Sequence, residues 1–214
     1  AALWGVPEVP ATPGKAAVEL LEAAADGQIK LLWIACTNPA HSLPDQTLVR
    51  RALQRAEFVV LQDAYATTAT ARYADLLLPA TTWGEKEGTV TNSERRISRV
   101  RRAVPPPGHS RDDWAIGVDF ARRLQRRLGK ARQDGGSLFP YADAEAVWNE
   151  HRDSTRGRDL DISGLSWATL DTPRQWPFPS GAAEGKPRLY EDGVFATADG
   201  RAKFADVAWR PLAE

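Results

Sequence analysis

Three short apolar runs, each ended by polar residues or proline and separated by helix-compatible stretches, constrain this chain more than any other feature. Residues 29–36 (IKLLWIAC) are almost unbroken in apolar character, the pattern of a strand covered on both faces. Residues 58–61 (FVVL) form a second run that ends in Gln62-Asp63, and residues 75–78 (DLLL) a third, stopped by Pro79. Short strands that alternate with helices join through right-handed crossovers into a parallel sheet. The intervening segments supply the helices. Residues 14–25 place Ala17, Leu20, Leu21, Ala24 and Ala25 on one face, and Asp26-Gly27 closes the helix. Ser42 or Asp45 caps a second helix to about Ala56, with Leu48, Ala52 and Ala56 inward. The stretch ATTATARYA is a short helical piece before the third strand. The expected class is α/β: a Rossmann-like parallel sheet with flanking helices, interrupted by a β-rich excursion and followed by an irregular tail.

The excursion begins near Trp83, where residues alternate (TVTNSERRISRVRRAV) as in exposed or antiparallel strands. Pro105-Pro106-Pro107-Gly108 ends it. An amphipathic helix follows at 112–128, with Trp114, Val118, Ala121, Leu124 and Leu128 on one face. Beyond Gly135-Gly136 the chain is rich in Pro, Gly, Asp and Trp. A helix is expected at 143–152, and a hairpin at 188–204 on the turn signals Asp192-Gly193 and Asp199-Gly200. The expected division is an α/β domain over 1–135, with the excursion at 84–111, and an irregular linker and hairpin over 136–214.

Composition excludes several classes. The 28 basic residues equal the 28 acidic ones, so no global field draws the chain to nucleic acid or to an anionic membrane. No apolar run has the roughly 18–20 residues needed to span a bilayer, and no signal-peptide pattern opens the chain. The single cysteine, Cys36, excludes an internal disulfide and a cysteine-rich metal cage. It is expected to be a small buried core residue of its strand. The chain starts Ala1-Ala2-Leu3-Trp4 and contains no methionine, so it is expected to be cut from something longer.

In an open parallel sheet, ligands sit at the carboxyl ends of the strands. Thr37-Asn38-Pro39 follows the first run and Gln62-Asp63 the second. Loop amides suit phosphate oxygens, and an acid after a strand suits ribose hydroxyls or purine N–H groups. The set is nucleotide-like, but the fingerprint G-x-G-x-x-G is absent, which disfavours a nicotinamide-dependent dehydrogenase. Each residue also has a plainer explanation. Asn38-Pro39 is a common turn, Asp63 can cap the next helical piece, Lys86 sits between Glu85 and Glu87 as on a solvated surface, and Asp112-Asp113 suits a helix dipole. His41, His109 and His151 show no metal-ligand spacing.

Read together, LLWIACTNPAHSLPD (31–45), FVVLQDAYATTATARYADLLLPATTWGEKEGTVTNSERRISRVRRAV (58–104) and Asp112-Asp113-Trp114 resemble the central region of the bis-molybdopterin-guanine-dinucleotide oxidoreductases, which include nitrate reductases, formate dehydrogenases and dimethyl sulfoxide reductases. The resemblance covers residues 14–130. The tail words AVWNEHR, DISGLS, QWPFP and RLYEDGVFATADGRAKF look most like the cytoplasmic assimilatory nitrate reductases, and formate dehydrogenase catalytic subunits carry a similar tail. The resemblance implies a nucleotide-binding α/β domain that holds one guanine-dinucleotide arm of the molybdenum cofactor. It places Asn38, Asp63, Lys86 and Asp113 on cofactor-contacting positions, with Gln62 and Thr67 as weaker members. It further implies a cytoplasmic parent that reduces nitrate to nitrite, fed by an electron-donor protein or subunit through an iron–sulfur cluster. Neither a cluster motif nor a molybdenum ligand is identifiable in the chain, so the segment is expected to bind cofactor together with remaining parent domains and not to catalyse alone. Two alternatives stand beside this reading: a segment of a formate dehydrogenase catalytic subunit, and a non-catalytic α/β interaction module.

The isolated chain is expected to be marginal in stability, with Trp148, Trp167, Trp176 and Trp209 burying against missing partners.

Overall fold

A computed structural model describes residues 1–209 of the protein. Ala1–Val90 and Arg99–Trp148 form one compact unit, while Thr91–Ser98 and the chain from Asn149 onward form a second.

The first unit is built on β1 (Leu31–Ala35), β2 (Phe58–Asp63) and β3 (Leu76–Pro79), parallel and in that order. The register pairs Ala35 with Gln62 and Gln62 with Leu78, so the three carboxyl ends lie level at one edge. Between the strands run α1 (Ala17–Ala25, ahead of β1), α2 (Pro39–Ser42) and α3 (Gln46–Arg55). Alternation along the strands sorts the side chains. Leu32 and Ile34 of β1 and Val59 and Leu61 of β2 pack with Leu21 and Ala24 of α1 and Val49, Ala52 and Leu53 of α3. Leu61 is fully buried at the centre, a burial worth about 1.5–3 kcal/mol for such a side chain. The second helix expected from the sequence is α3, and of its two candidate caps Asp45 serves: it turns left-handed (φ 45°) and its Oδ1 accepts from the Leu48 amide at 3.0 Å, while α2 is a separate short turn before it. Only a single-turn 3₁₀ helix (Thr70–Tyr73) joins β2 to β3.

The strands are not covered evenly on both faces. Leu31, Phe58, Leu76 and Leu77 are exposed. The face away from Leu32 and Ile34 meets α4 (Asp113–Arg127, following the two further strands below) through Trp33 and Phe120, whose rings contact edge to face at 4.8 Å. None of the residues on the apolar face expected for that helix is buried: Trp114, Val118 and Ala121 are half-buried and Leu124 and Leu128 exposed, while the buried residue, Ile116, lies outside that face. Fifteen residues at 1.5 Å per residue reach about 22 Å, farther than a strand of four to six residues extends. The last turns therefore overhang the sheet.

The chain enters α4 at the carboxyl edge of the sheet. Thr81 N donates to Arg111 O at 3.0 Å and Arg111 N to Pro79 O at 3.1 Å, a parallel bridge that extends the sheet one step past β3. Between them β4 (Gly88–Thr91) and β5 (Arg96–Val100) form the expected antiparallel excursion, a single hairpin.

In the second unit, Arg96 and Ile97 of β5 pair with Gln175 and Arg174 of the two-residue β6 (Arg174–Gln175, after α5, Ala144–Ser154). Ile97, Ile162, Leu165, Trp167, Leu170 and Phe178 are its buried apolar residues. Arg95 fixes one wall: its guanidinium donates to the carbonyls of Trp176, Lys186 and Pro187 and lies over the Trp176 ring. The helix expected at 143–152 is α5. No strand forms among residues 188–204. Gly193 and Gly200 instead close separate turns, donating to Tyr190 O and Thr197 O, and one backbone bond, from Phe195 N to Gly200 O at 2.8 Å, spans the second turn. The tryptophan expectation also divides. Trp148 and Trp167 are buried within the chain, Trp176 is half-buried, and Trp209 is 84% exposed.

Candidate functional site

A cavity of about 430 Å³ opens at the carboxyl edge of the parallel sheet. Its wall gathers residues far apart in sequence: Asn38 after β1, Gln62 and Asp63 at the end of β2, Lys86 beyond β3, and Asp113 at the start of α4. Five of the six residues singled out in the sequence therefore meet around one space. Thr67 does not line it and stays exposed in the connection after β2.

Asp113 is the hub. Its Oδ2 accepts from Lys86 Nζ at 2.8 Å, and its Oδ1 from Gln62 Nε2 at 2.9 Å and Cys36 Sγ at 3.4 Å. Burial pushes the carboxyl pKa upward, but the hydrogen bonds from Lys86 and Gln62, the Lys86 charge and the Cys36 bond together outweigh it and hold Asp113 below the usual carboxylate range. Lys86 and Asp113 are 25% and 26% exposed, so water still reaches the pair. An exposed pair of this kind contributes at most about 1 kcal/mol, and its significance lies in geometry. Lys86 Nζ also lies 5.6 Å from the centre of the exposed Trp83 ring.

Gln62 is a buttress. It is 4% exposed, accepts from Trp33 Nε1 at 3.2 Å and donates to Asp113, so both ends of its amide are committed. Asn38 ties two loops together: its Oδ1 accepts from the Thr70 amide at 3.1 Å and hydroxyl at 2.7 Å, which leaves its NH₂ to donate. Asp63 folds an Asx turn by accepting from the Tyr65 amide at 3.0 Å through Oδ1, and its Oδ2 remains an acceptor beside the cavity. The plainer explanations for Asn38 and Asp63 thus hold in part, since each shapes its own loop while lining the space.

Cys36 departs from expectation. β1 ends at Ala35, and Cys36 is exposed at φ 59° on the cavity wall. Partial desolvation raises its thiol pKa, and the charge and hydrogen bond of Asp113 raise it further. The apolar run gave no sign that the strand would end one residue early.

Sequence reasoning also passed over Thr81 and Asp112. Asp112 is 8% exposed, and its Oδ1 accepts from the buried Thr81 hydroxyl at 3.0 Å and its Oδ2 from Arg102 Nη2 at 3.0 Å. In the sequence Asp112 was visible only as the first half of an acidic pair, and nothing local linked it to a threonine 31 positions earlier. Among the described residues no group of histidines, cysteines and carboxylates could hold a metal ion, and no helix is long and apolar enough to cross a membrane.

The fold and cavity define an α/β protein with an open polar cavity at the carboxyl ends of its parallel strands, beside the start of α4, the side on which such sheets bind ligands. Comparison with known proteins gives the family. The molybdopterin oxidoreductase family model matches residues 1–123, and the chain belongs to that family. The chain is 42% identical over 208 residues to a nitrate reductase of Synechocystis, covering 94% of this chain and 28% of that protein. It is 38% identical over 215 residues to the assimilatory nitrate reductase catalytic subunit of Bacillus subtilis, covering 99% and 29%. An F420-dependent formate dehydrogenase subunit alpha of Methanocaldococcus jannaschii is 38% identical over 192 residues, covering 87% and 26%. The chain thus spans just over a quarter of the length of these relatives. Acetylene hydratase from Pelobacter acetylenicus shares the fold, with a TM-score of 0.58 at 23% identity over 85% of this chain and 23% of that one. Membership of this family implies a molybdenum–pterin cofactor.

Proposed function

We propose that this chain is the part of a molybdenum nitrate reductase that holds one guanine-dinucleotide arm of a bis-molybdopterin-guanine-dinucleotide cofactor. The observation that carries the reading is the convergence of Asn38, Asp63, Lys86 and Asp113 on one open cavity at the carboxyl edge of a parallel sheet. The donor set suits such an arm. The Lys86 ammonium neutralises pyrophosphate charge as a mobile point cation, and the Asn38 NH₂ donates to phosphate oxygens. The free oxygen of Asp63 accepts from ribose hydroxyls or guanine N–H groups, a charge-assisted bond worth roughly 1.5–3 kcal/mol. Asp113 holds Lys86 at the cavity before binding and becomes a second acceptor as the cation turns to phosphate. Gln62 keeps Asp113 in place from behind.

When bound, the cofactor supplies oxygen-atom transfer at molybdenum, and this segment contributes grip and orientation. The intact enzyme is read as cytoplasmic and assimilatory, receiving electrons from a donor protein or subunit through an iron–sulfur cluster. Nitrate as substrate is favoured by the names of the Synechocystis and Bacillus relatives. The 38% identity to the Methanocaldococcus protein supports a formate dehydrogenase segment as the second reading.

The test is cofactor content in the intact protein. Purified Asp63→Asn and Lys86→Gln variants are expected to lose most of their molybdenum and of the guanine nucleotide released by acid, both measured against protein. Full occupancy in both variants contradicts the assignment. Nitrate and formate turnover by the unmodified protein separates the two substrate readings.

A further inference from the structure

Behind the Lys86–Asp113 pair lies a second ion pair that does not line the cavity, Arg102 with Asp112. The two aspartates are neighbours at the start of α4, and the two cations come from either side of the β4–β5 hairpin. Arg102 does more than neutralise Asp112. Its Nε donates to Glu85 O at 2.8 Å while its Nη2 donates to Asp112 Oδ2 at 3.0 Å. Glu85 is the last residue of a 3₁₀ turn (Trp83–Glu85), and the next residue is Lys86. The same turn is held at its glycine, where Ala103 N and Val104 N both donate to Gly84 O, at 2.8 and 3.0 Å. Asp112 is itself anchored by the buried Thr81 hydroxyl.

We propose that Arg102 is a positioning residue for the candidate cofactor site: by joining the Glu85 carbonyl to the Asp112 carboxylate, it fixes the turn that carries Lys86 against the helix start that carries Asp113.

A planar guanidinium offers two donors in a rigid fork and so can bridge a carbonyl and a carboxylate at set directions. Two of its donors act at once here, one on the Lys86 turn and one on α4. Lys86 has four rotatable carbons between backbone and ammonium, and a turn left free to drift spreads that ammonium over a wider volume. With Arg102 in place, the 2.8 Å contact between Lys86 and Asp113 follows from two anchored backbones. The importance of this placement for ligand affinity rests on the reading of the cavity as a nucleotide-arm site; the effect of Arg102 on the Lys86–Asp113 contact does not.

The experiment therefore has two readouts on the chain. The first is the carboxyl titration of Asp113, followed by ¹³C NMR in the parent, Arg102→Gln and Arg102→Lys. The Lys86 contact helps hold that titration below the usual carboxylate range, so Arg102→Gln is expected to move it upward. Arg102→Lys, which keeps the charge but lacks the rigid fork of donors, moves it by less. The second is the dissociation constant of guanosine diphosphate, expected to weaken about tenfold in Arg102→Gln with Lys86 intact. An Asp113 titration unchanged in folded Arg102→Gln overturns the proposal. If that variant does not fold, Arg102→Lys decides alone: an upward shift supports the role and an unshifted titration overturns it. A parent chain that fails to bind guanosine diphosphate contradicts the nucleotide-arm reading, while the titration still judges Arg102.

Discussion

Asp113 concentrates the chemistry of the cavity in one carboxylate, and its pH behaviour follows from its contacts. Its folded pKa is depressed, so the stability it contributes is fully present above the ordinary carboxylate value of about 4 and is lost as pH falls through the lower folded value. Asp113→Asn is therefore expected to flatten the acid limb of the stability profile below about pH 4, measured by urea denaturation across pH. An unchanged acid limb contradicts the placement. The neighbouring thiol gives a second reading of the same charge. Burial and Asp113 raise the Cys36 pKa, so alkylation by iodoacetamide should be slow at neutral pH, with a midpoint above the ordinary thiol value of about 8.5. In Asp113→Asn that midpoint should fall. At this scale the sequence was only partly legible. The motif words located Asn38, Gln62, Asp63, Lys86 and Asp113, and the structure brings them to one cavity. Cys36 departs from the buried-core reading because its backbone turns left-handed (φ 59°) while its amide still bonds Gln62 O, a change of direction that an apolar run does not reveal. Asp112 and Thr81 were missed because a contact across 31 residues leaves no local pattern.

Among the elements, β2 is central, and its Leu61 has no exposed surface. Leu61→Ala is expected to cost about 2–5 kcal/mol, read as a lowered urea midpoint in far-ultraviolet circular dichroism. A loss below about 1 kcal/mol contradicts the described core. In the second unit Gly185 lies against β6 so closely that an added Cβ would sit 1.8 Å from Gln175 O, a backbone atom that cannot swing aside. Gly185→Ala should therefore open the segment fixed by Arg95 and speed its amide hydrogen exchange, whereas unchanged protection there would show that the approach is looser. The alternation of apolar runs with helices was enough to read the parallel sheet, since periodicity reports which residues are inward. It failed for α4, where Leu124 and Leu128 are apolar yet exposed. Periodicity shows that a helix has an apolar face, not whether the chain in hand is long enough to cover it. At residues 188–204 the turn signals mark real turns, but the segments between them form no strand.

The chain spans just over a quarter of the length of its relatives, and Phe120, Leu124 and Leu128 of α4 and Leu76 and Leu77 of β3 are exposed. Apolar area of this kind costs about 25 cal/mol per Å² to leave wet. The chain by itself is expected to bind a hydrophobic dye such as anilinonaphthalene sulfonate under native conditions, and the absence of binding would contradict the described exposure. The family was readable because several words in fixed order are far more specific than any one of them.

The central claim is that the carboxyl-edge cavity receives a guanine nucleotide. Titrating guanosine diphosphate into the ¹⁵N-labelled chain and mapping amide shifts tests it most directly. The expected perturbations fall on residues 37–38, 62–65, 81–86 and 112–113, and largely vanish in Lys86→Gln. Shifts absent at millimolar nucleotide, or clustered away from those loops, would contradict the account.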